Sequence, residues 1–208
     1  KGQGAADDGT SDGMPDDATL IERAKTAFVR DMAGQCDKAA DTAGGANEPD
    51  LYQIKYKPSY ATAEDPDSLF AVLVFACSMA AYNSSEVYYG YDTVEGLRLL
   101  SFAAPHLDLK YEDEEQSKLK SMAIDGFTSS ALLTNSEYDE KTQTINHFAK
   151  WRGIGDAADH AAYKFVEGQF VLKDYDVDPT TDEEMNPWQL IKDGAVLPKP
   201  ELIPDEAQ

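Results

Sequence analysis

The sequence predicts an α+β domain, mainly antiparallel β, with one N-terminal amphipathic helix packed on hairpin-connected strands. Three observations predict it. Ile21, Ala24, Phe28 and Met32 recur at helical spacing. Residues 51–57 alternate, with Tyr52, Ile54 and Tyr56 on an apolar face and Leu51, Gln53 and Lys55 on the other. Residues 163–172 read as a hairpin about Glu167-Gly168, setting Phe165 opposite Phe170 and Tyr163 opposite Leu172 on one face. Sandwich, barrel and propeller-like blades all satisfy these patterns.

The elements follow in chain order. Residues 1–16 are Gly, Asp, Ser and Ala with little apolar content, as in a flexible tether. Such a tether suits a processed export signal or a lipid-anchored lipoprotein. The helix starts near Asp17, with Thr19-x-x-Glu22 read as a capping box, and stops near Gly34. Residues 37–50 are a loop. Residues 69–77 are apolar on both faces, which predicts a central strand covered on both sides. Asn83-Ser84-Ser85 turns the chain into a strand at 87–91, and further strands are expected at 97–102, 107–111 and 119–124. A longer hairpin joins 131–134 to 144–151 through 138–141. A short helix is expected at 187–191. The organisation is therefore a tether (1–16), one α+β domain (17–196) and an extended or disordered tail (197–208) holding three prolines.

Charge narrows the partners. The 208 residues carry 39 acidic and 18 basic side chains, a formal net charge of -21. Nucleic acid and anionic membrane surfaces both demand clustered Lys and Arg, so neither is an expected partner. A field of this sign attracts a cationic protein or a hard metal ion, and it also keeps a chain in solution. The longest apolar run, 69–79, is about half of the ~20 residues needed to span a bilayer, so no transmembrane segment is expected. Cys36 and Cys77 lack metal-ligand spacing. In an oxidising compartment a disulfide between them closes a loop of about 40 residues; two buried free thiols are the alternative.

Few strings carry chemistry. His106, His147 and His160 stand in no zinc arrangement, and no nucleophile elbow, P-loop or dinucleotide fingerprint occurs. Asp174, Asp176 and Asp178 resemble the first half of a calcium loop and are the one metal-binding candidate. They depart from the pattern: Pro179 stands where glycine is needed, Met185 holds the twelfth place, and strand alternation puts the three on one solvated face. Otherwise no cofactor is expected. The most distinctive string is Lys150-Trp-Arg-Gly-Ile-Gly-Asp156. Gly153 and Gly155 imply a tight turn, Trp151 and Arg152 are the residue types that anchor interfaces, and Asp156 closes the string; a turn with a packed tryptophan is the plainer alternative.

Phe148-Ala-Lys-Trp-Arg-Gly-Ile-Gly-Asp156, followed by Tyr163-Lys-Phe and Glu167-Gly-Gln-Phe-Val-Leu172, resembles a run in domain of unknown function family 1176, found in proteobacterial exported proteins. Cys77 with Ala81-Tyr82-Asn83 is similar to that family's Cys and Gly-Ala-Tyr-Asn pattern. The resemblance covers roughly residues 68–178 and implies export to the periplasm without a known activity. Family members usually carry more cysteines, one directly after the Gly-Asp; Ala157 stands there in this chain, so no disulfide forms at that turn.

The functional expectation is a periplasmic or envelope-associated binding or interaction protein without evident catalysis, its partner another periplasmic protein or a small ligand. One alternative is an inhibitor of a cationic hydrolase such as lysozyme, which the acidic charge matches. Another is a carboxylate-dependent hydrolase using Asp156 or Asp159 near the Gly-rich turn, which a pocket joining Asp156 and His160 would support.

Overall fold

In the computed structural model, which describes residues 13–202, the first helix α1 (Asp17–Met32) is capped by Asp16. The Asp16 carboxylate accepts from the Thr19 N–H at 2.9 Å and from its hydroxyl at 2.8 Å. This corrects the Thr19–Glu22 box: aspartate three residues earlier is an equally good cap, and Glu22 instead pairs with Lys25 at 3.0 Å. Leu20, Ala24, Ala27, Phe28 and Met32 form the buried stripe. A second, short helix α2 (Ala39–Ala43) interrupts the loop expected at 37–50.

Among the described residues the strands form separate antiparallel sheets and no closed barrel. The first sheet has the order β1 (Asp50–Tyr56), β2 (Ser68–Met79), β3 (Ser84–Asp92), β4 (Gly96–Leu99), with β7 (Leu132–Thr134) also paired to β3. β4 pairs with the later half of β3 and β7 with its start, so one strand serves two short partners along one edge. The expected hairpin from 131–134 to 144–151 is therefore corrected. Asn135, at φ 41°, turns the chain after β7, and β8 (Glu137–Asp139) is what pairs with β9 (Thr144–Lys150).

The second sheet is a six-stranded meander, β8, β9, β10 (Ala158–Val166), β11 (Gln169–Asp178), β12 (Trp188–Lys192) and β13 (Ala195–Leu202). The β10–β11 hairpin has the expected register, Phe165 opposite Phe170 and Tyr163 opposite Leu172. Its turn residues Glu167 and Gly168 both have positive φ (46° and 91°), which matches the right-handed twist of the flanking strands. The helix expected at 187–191 is instead strand β12. It pairs with β11, and Asp193-Gly194 turns it into β13, again with two positive φ values. The expected tail thus runs in β13 as far as Leu202; residues 203–208, and residues 1–12 of the tether, lie outside the described residues. A two-stranded ribbon, β5 (Phe102–Tyr111) with β6 (Leu119–Ser130), completes the strands.

Alternation along β2 creates two cores. Phe70 and Val72 face the second sheet and join Ile54, Tyr88, Phe102, Ile145, Tyr163, Phe165 and Val177. Ala71, Leu73, Phe75 and Cys77 face the other way, where α1 covers them with Leu20, Ala24, Phe28 and Met32. The layers are helix, sheet, sheet. The central strand expected at 69–77 is buried on both faces for this reason. Gly90 of β3 admits the sandwich packing: a Cβ there would lie 2.5 Å from the Phe70 ring and 2.9 Å from Leu100. Cys36 and Cys77 are disulfide-bonded, linking the segment after α1 to β2. No helix among the described residues is long and apolar enough to cross a membrane.

Candidate interaction surface

Strands β2 and β3 meet at a turn, residues 80–83, and β9 and β10 meet at another, residues 151–157. The two turns touch. The Asn83 side-chain amide donates to the Lys150 carbonyl at 2.8 Å, and Gly153 sits against Tyr82, whose ring would lie 3.6 Å from a Cβ there. A third segment fastens the corner: Asn135 donates to the Asn83 side chain (2.8 Å) and the Phe148 carbonyl (2.9 Å) while accepting from the Ser84 N–H at 2.8 Å. Glu86 accepts from the Ser136 N–H at 2.7 Å, and Tyr88 donates to the Ser136 hydroxyl at 2.9 Å. Burial pushes the Tyr88 phenol up, so it stays neutral in this network.

The expected interaction residues fall on this corner in two roles. Trp151 is 41% exposed, and its indole N–H donates to Asp159 at 2.6 Å. Asp159 also accepts from His147 Nε2 at 3.1 Å; His147 Nδ1 accepts from the Thr134 N–H at 2.9 Å, which assigns the proton to Nε2. Trp151 is therefore held by a chain of hydrogen bonds with part of its ring in solvent. Arg152 does the opposite. Its guanidinium forms a two-point pair with Asp156, with Nε donating to Oδ1 at 2.7 Å and Nη2 to Oδ2. Asp156 is buried and accepts further from the N–H groups of Ala157 (2.9 Å) and Glu183 (3.0 Å), which ties the turn to the segment after β11. Gly155, at φ 78°, packs against the Lys150 stem and makes the turn tight enough for this closure. The pair clamps the turn, and Trp151 stands out from it with its indole N–H held.

Three neighbours escape the sequence reading as surface residues. Tyr82 is 45% and Ile154 66% exposed, and Met79, at the end of β2, is also exposed. Tyr82 was visible only within the Ala-Tyr-Asn string, and Ile154 only as the residue between two glycines.

The Arg152 guanidinium beside Asp156 holds its carboxyl well below the usual carboxylate range, against the opposing effect of burial. The folded value lies below the unfolded one, so this stabilisation is complete above about pH 4 and fades as pH falls toward the folded value. Asp156→Asn is expected to lower stability at pH 7 by roughly 1.5–3 kcal/mol, the range for hydrogen bonds to charged groups. It should also flatten the loss of stability between pH 5 and pH 3. Urea midpoints at pH 7, 5 and 3 measure both, and parallel pH profiles for the two proteins would show that the clamp does not contribute.

Asp174, Asp176 and Asp178 do not share a solvated face, which corrects the alternation expected of them. Residues 179–186 fold back over the end of β11 and bury Asp178 completely, where it accepts from the Thr180 N–H (3.0 Å) and hydroxyl (2.6 Å). Asp174 accepts from the Asp193 N–H at 3.3 Å, and Asp176 pairs with His160 at 3.3 Å. Among the described residues no group of three or more His, Cys, Asp or Glu side chains is placed to hold a metal ion. The hydrolase candidates are likewise separated: Asp156 binds Arg152, Asp159 binds Trp151 and His147, and His160 faces Asp176.

Neither a curated protein nor a solved structure matches this chain. A family model for proteins of unknown function, DUF1176, matches residues 58–190, from the β1–β2 loop into β12 and somewhat beyond the 68–178 span that the motifs suggested. With nearly two thirds of its length matched, the Trp151 corner included, the chain belongs to the DUF1176 family.

Proposed function

We propose that this protein is a non-catalytic interaction module of an oxidising compartment, periplasmic or envelope-associated, which docks a basic protein at the Trp151 corner. The observation that supports it is the exposure of Met79, Tyr82, Trp151 and Ile154 on and beside two turns that touch and are locked by hydrogen bonds. Trp151, held by its bond to Asp159 while its ring meets solvent, loses little freedom when a partner covers it, which is what an interface anchor requires. The net charge of -21 selects the partner's sign and speeds its approach. The disulfide supports the compartment. A cationic hydrolase such as lysozyme is a partner of the required charge, and inhibition of lysozyme by the protein tests that narrower form.

The test is capture from a periplasmic extract on immobilised protein, washed at about 0.05 M and then 0.5 M salt, a range that removes screened surface attraction. A basic partner is expected to survive both washes. Trp151→Ala is expected to cost at least about 2 kcal/mol of binding, a loss of roughly 30-fold, as anchor residues do. Release of every captured protein at high salt, or an unchanged affinity in the variant, would remove the proposal.

A further inference from the structure

At the opposite end of the strands, four loops surround a cleft of about 410 Å³, within the range of small-molecule sites. The β1–β2 loop contributes Tyr60, the β3–β4 turn Val94 and Glu95, the β4–β5 link Ser101, and the β10–β11 turn Glu167 and Gly168; Phe170 of β11 also lines it. Tyr60 and Val94 are among the most exposed large apolar side chains described, at 85% and 89%.

Arg98 of β4 lines the cleft, and its chemistry decides what the site can take. Its guanidinium lies 5.2 Å from the centre of the Phe70 ring. Nη1 donates to Asp92 at 2.7 Å, Nη2 to the Gly168 carbonyl at 2.9 Å, and Nε pairs with Glu95 at 3.0 Å. All three nitrogens of the cation are engaged by groups of the protein, so Arg98 has little to offer a carboxylate or phosphate. Asp92 is engaged as well, accepting from Arg98 and from the N–H groups of Val94 (2.8 Å) and Glu95 (2.7 Å). Glu167 differs. Its one described hydrogen bond is from the Ser59 hydroxyl at 3.0 Å, and no salt bridge is described for it. It projects from a turn whose backbone is set by two consecutive positive φ values. The cleft thus holds three carboxylates against one guanidinium and walls of Tyr56, Tyr60, Phe102 and Phe170, and among the described residues one of the three, Glu167, has no cationic partner.

We infer that this cleft binds a small organic cation, an ammonium group on an apolar or aromatic body, with the charge at Glu167 and the body against Tyr60 and Phe170. Excess negative charge repels anions. Aromatic faces attract a cation that has been stripped of water, as the Phe70 ring already holds Arg98. The site is separate from the Trp151 corner, so each stands or falls alone.

Three probes with nearly the same body and different charge test it: phenethylammonium, 2-phenylethanol and phenylacetate. Each is titrated at about 0.15 M salt, where long-range attraction is screened, with amide NMR shifts recording place and affinity. Phenethylammonium is expected to shift the amides of Tyr60, Val94, Glu167 and Gly168, and to bind at least tenfold more tightly than 2-phenylethanol. Phenylacetate should not bind. Glu167→Gln should reduce the amine to the affinity of the alcohol, while Glu114→Gln, an exposed carboxylate at the β5–β6 turn, should leave it unchanged. Equal binding of amine and alcohol, equal loss in both variants, binding of phenylacetate, or shifts elsewhere on the surface would each overturn the inference.

Discussion

Replacing Cys36 and Cys77 together by alanine is expected to lower stability by about 3–4 kcal/mol, the value for closing a loop of this size in the unfolded chain. The bridge spans 41 residues and both cysteines are buried, at 5% and 0% exposure. It joins the chain just after α1 to β2, beside a backbone hydrogen bond from the Lys38 N–H to the Cys77 carbonyl at 2.9 Å. The crosslink therefore holds the helical layer on the sheet as well as restricting the unfolded ensemble. At 2–4 °C per kcal/mol for a chain of this length, the melting temperature should fall by roughly 10 °C. Reduction of the native protein should give a similar shift. Denaturant curves of the oxidised, reduced and double-alanine forms measure it, and a change below about 1 kcal/mol would mean the bridge only decorates a layer already held by packing. The same reasoning predicts a weakened protein in any compartment that keeps thiols reduced.

What was legible in the sequence was local. The β10–β11 hairpin could be read because the positive-φ turn and both aromatic pairs lie within ten residues of chain, 163–172. β2 could be read because a strand buried on both faces needs apolar residues at every position. Errors arose where the deciding partner was distant or two signals competed. Residues 187–191 look helical by composition, yet Asp193-Gly194 directly after them is a strong hairpin turn, and β11 supplies the pairing that makes β12 a strand. β7 is three residues long and carries no period of its own; it follows β3, 45 or more residues earlier, rather than its neighbour β9. The candidate sites divide in the same way. The Trp151 turn stood out because glycine spacing is a local constraint, whereas the exposure of Tyr82 beside it depends on a contact between two separate turns. The Arg98 cleft was invisible, since its lining comes from segments near residues 58, 94, 100 and 168. No sequence pattern records that Arg98 stacks on Phe70 while bonding to Gly168.

Phe28→Ala is expected to have the other large effect, a loss of about 3–5 kcal/mol. Phe28 is fully buried and stacks on Phe75 of β2, with ring centres 4.5 Å apart and planes within 6°. Phe75 in turn meets Tyr89 of β3 edge-on at 5.8 Å, and Tyr89 donates to Asp31 of the same helix at 3.1 Å. Removing the Phe28 ring leaves a cavity that α1 cannot easily close by shifting, because the Tyr89–Asp31 bond and the disulfide hold the chain on its C-terminal side and the buried Leu20 and Ala24 hold it on the other. The matched family segment begins at residue 58, after α1 and β1. Without that helix, the face of β2 carrying Leu73 and Phe75 would lie open to water, so α1 has to be an integral layer of this domain. Thermal melts and urea curves of the variant decide the point. A loss below about 1 kcal/mol, with Trp fluorescence unchanged, would show that the sheet does not need its helical cover. The expected loss, with partner capture at the Trp151 corner preserved below the new melting temperature, would place stability and recognition on different layers of the same fold.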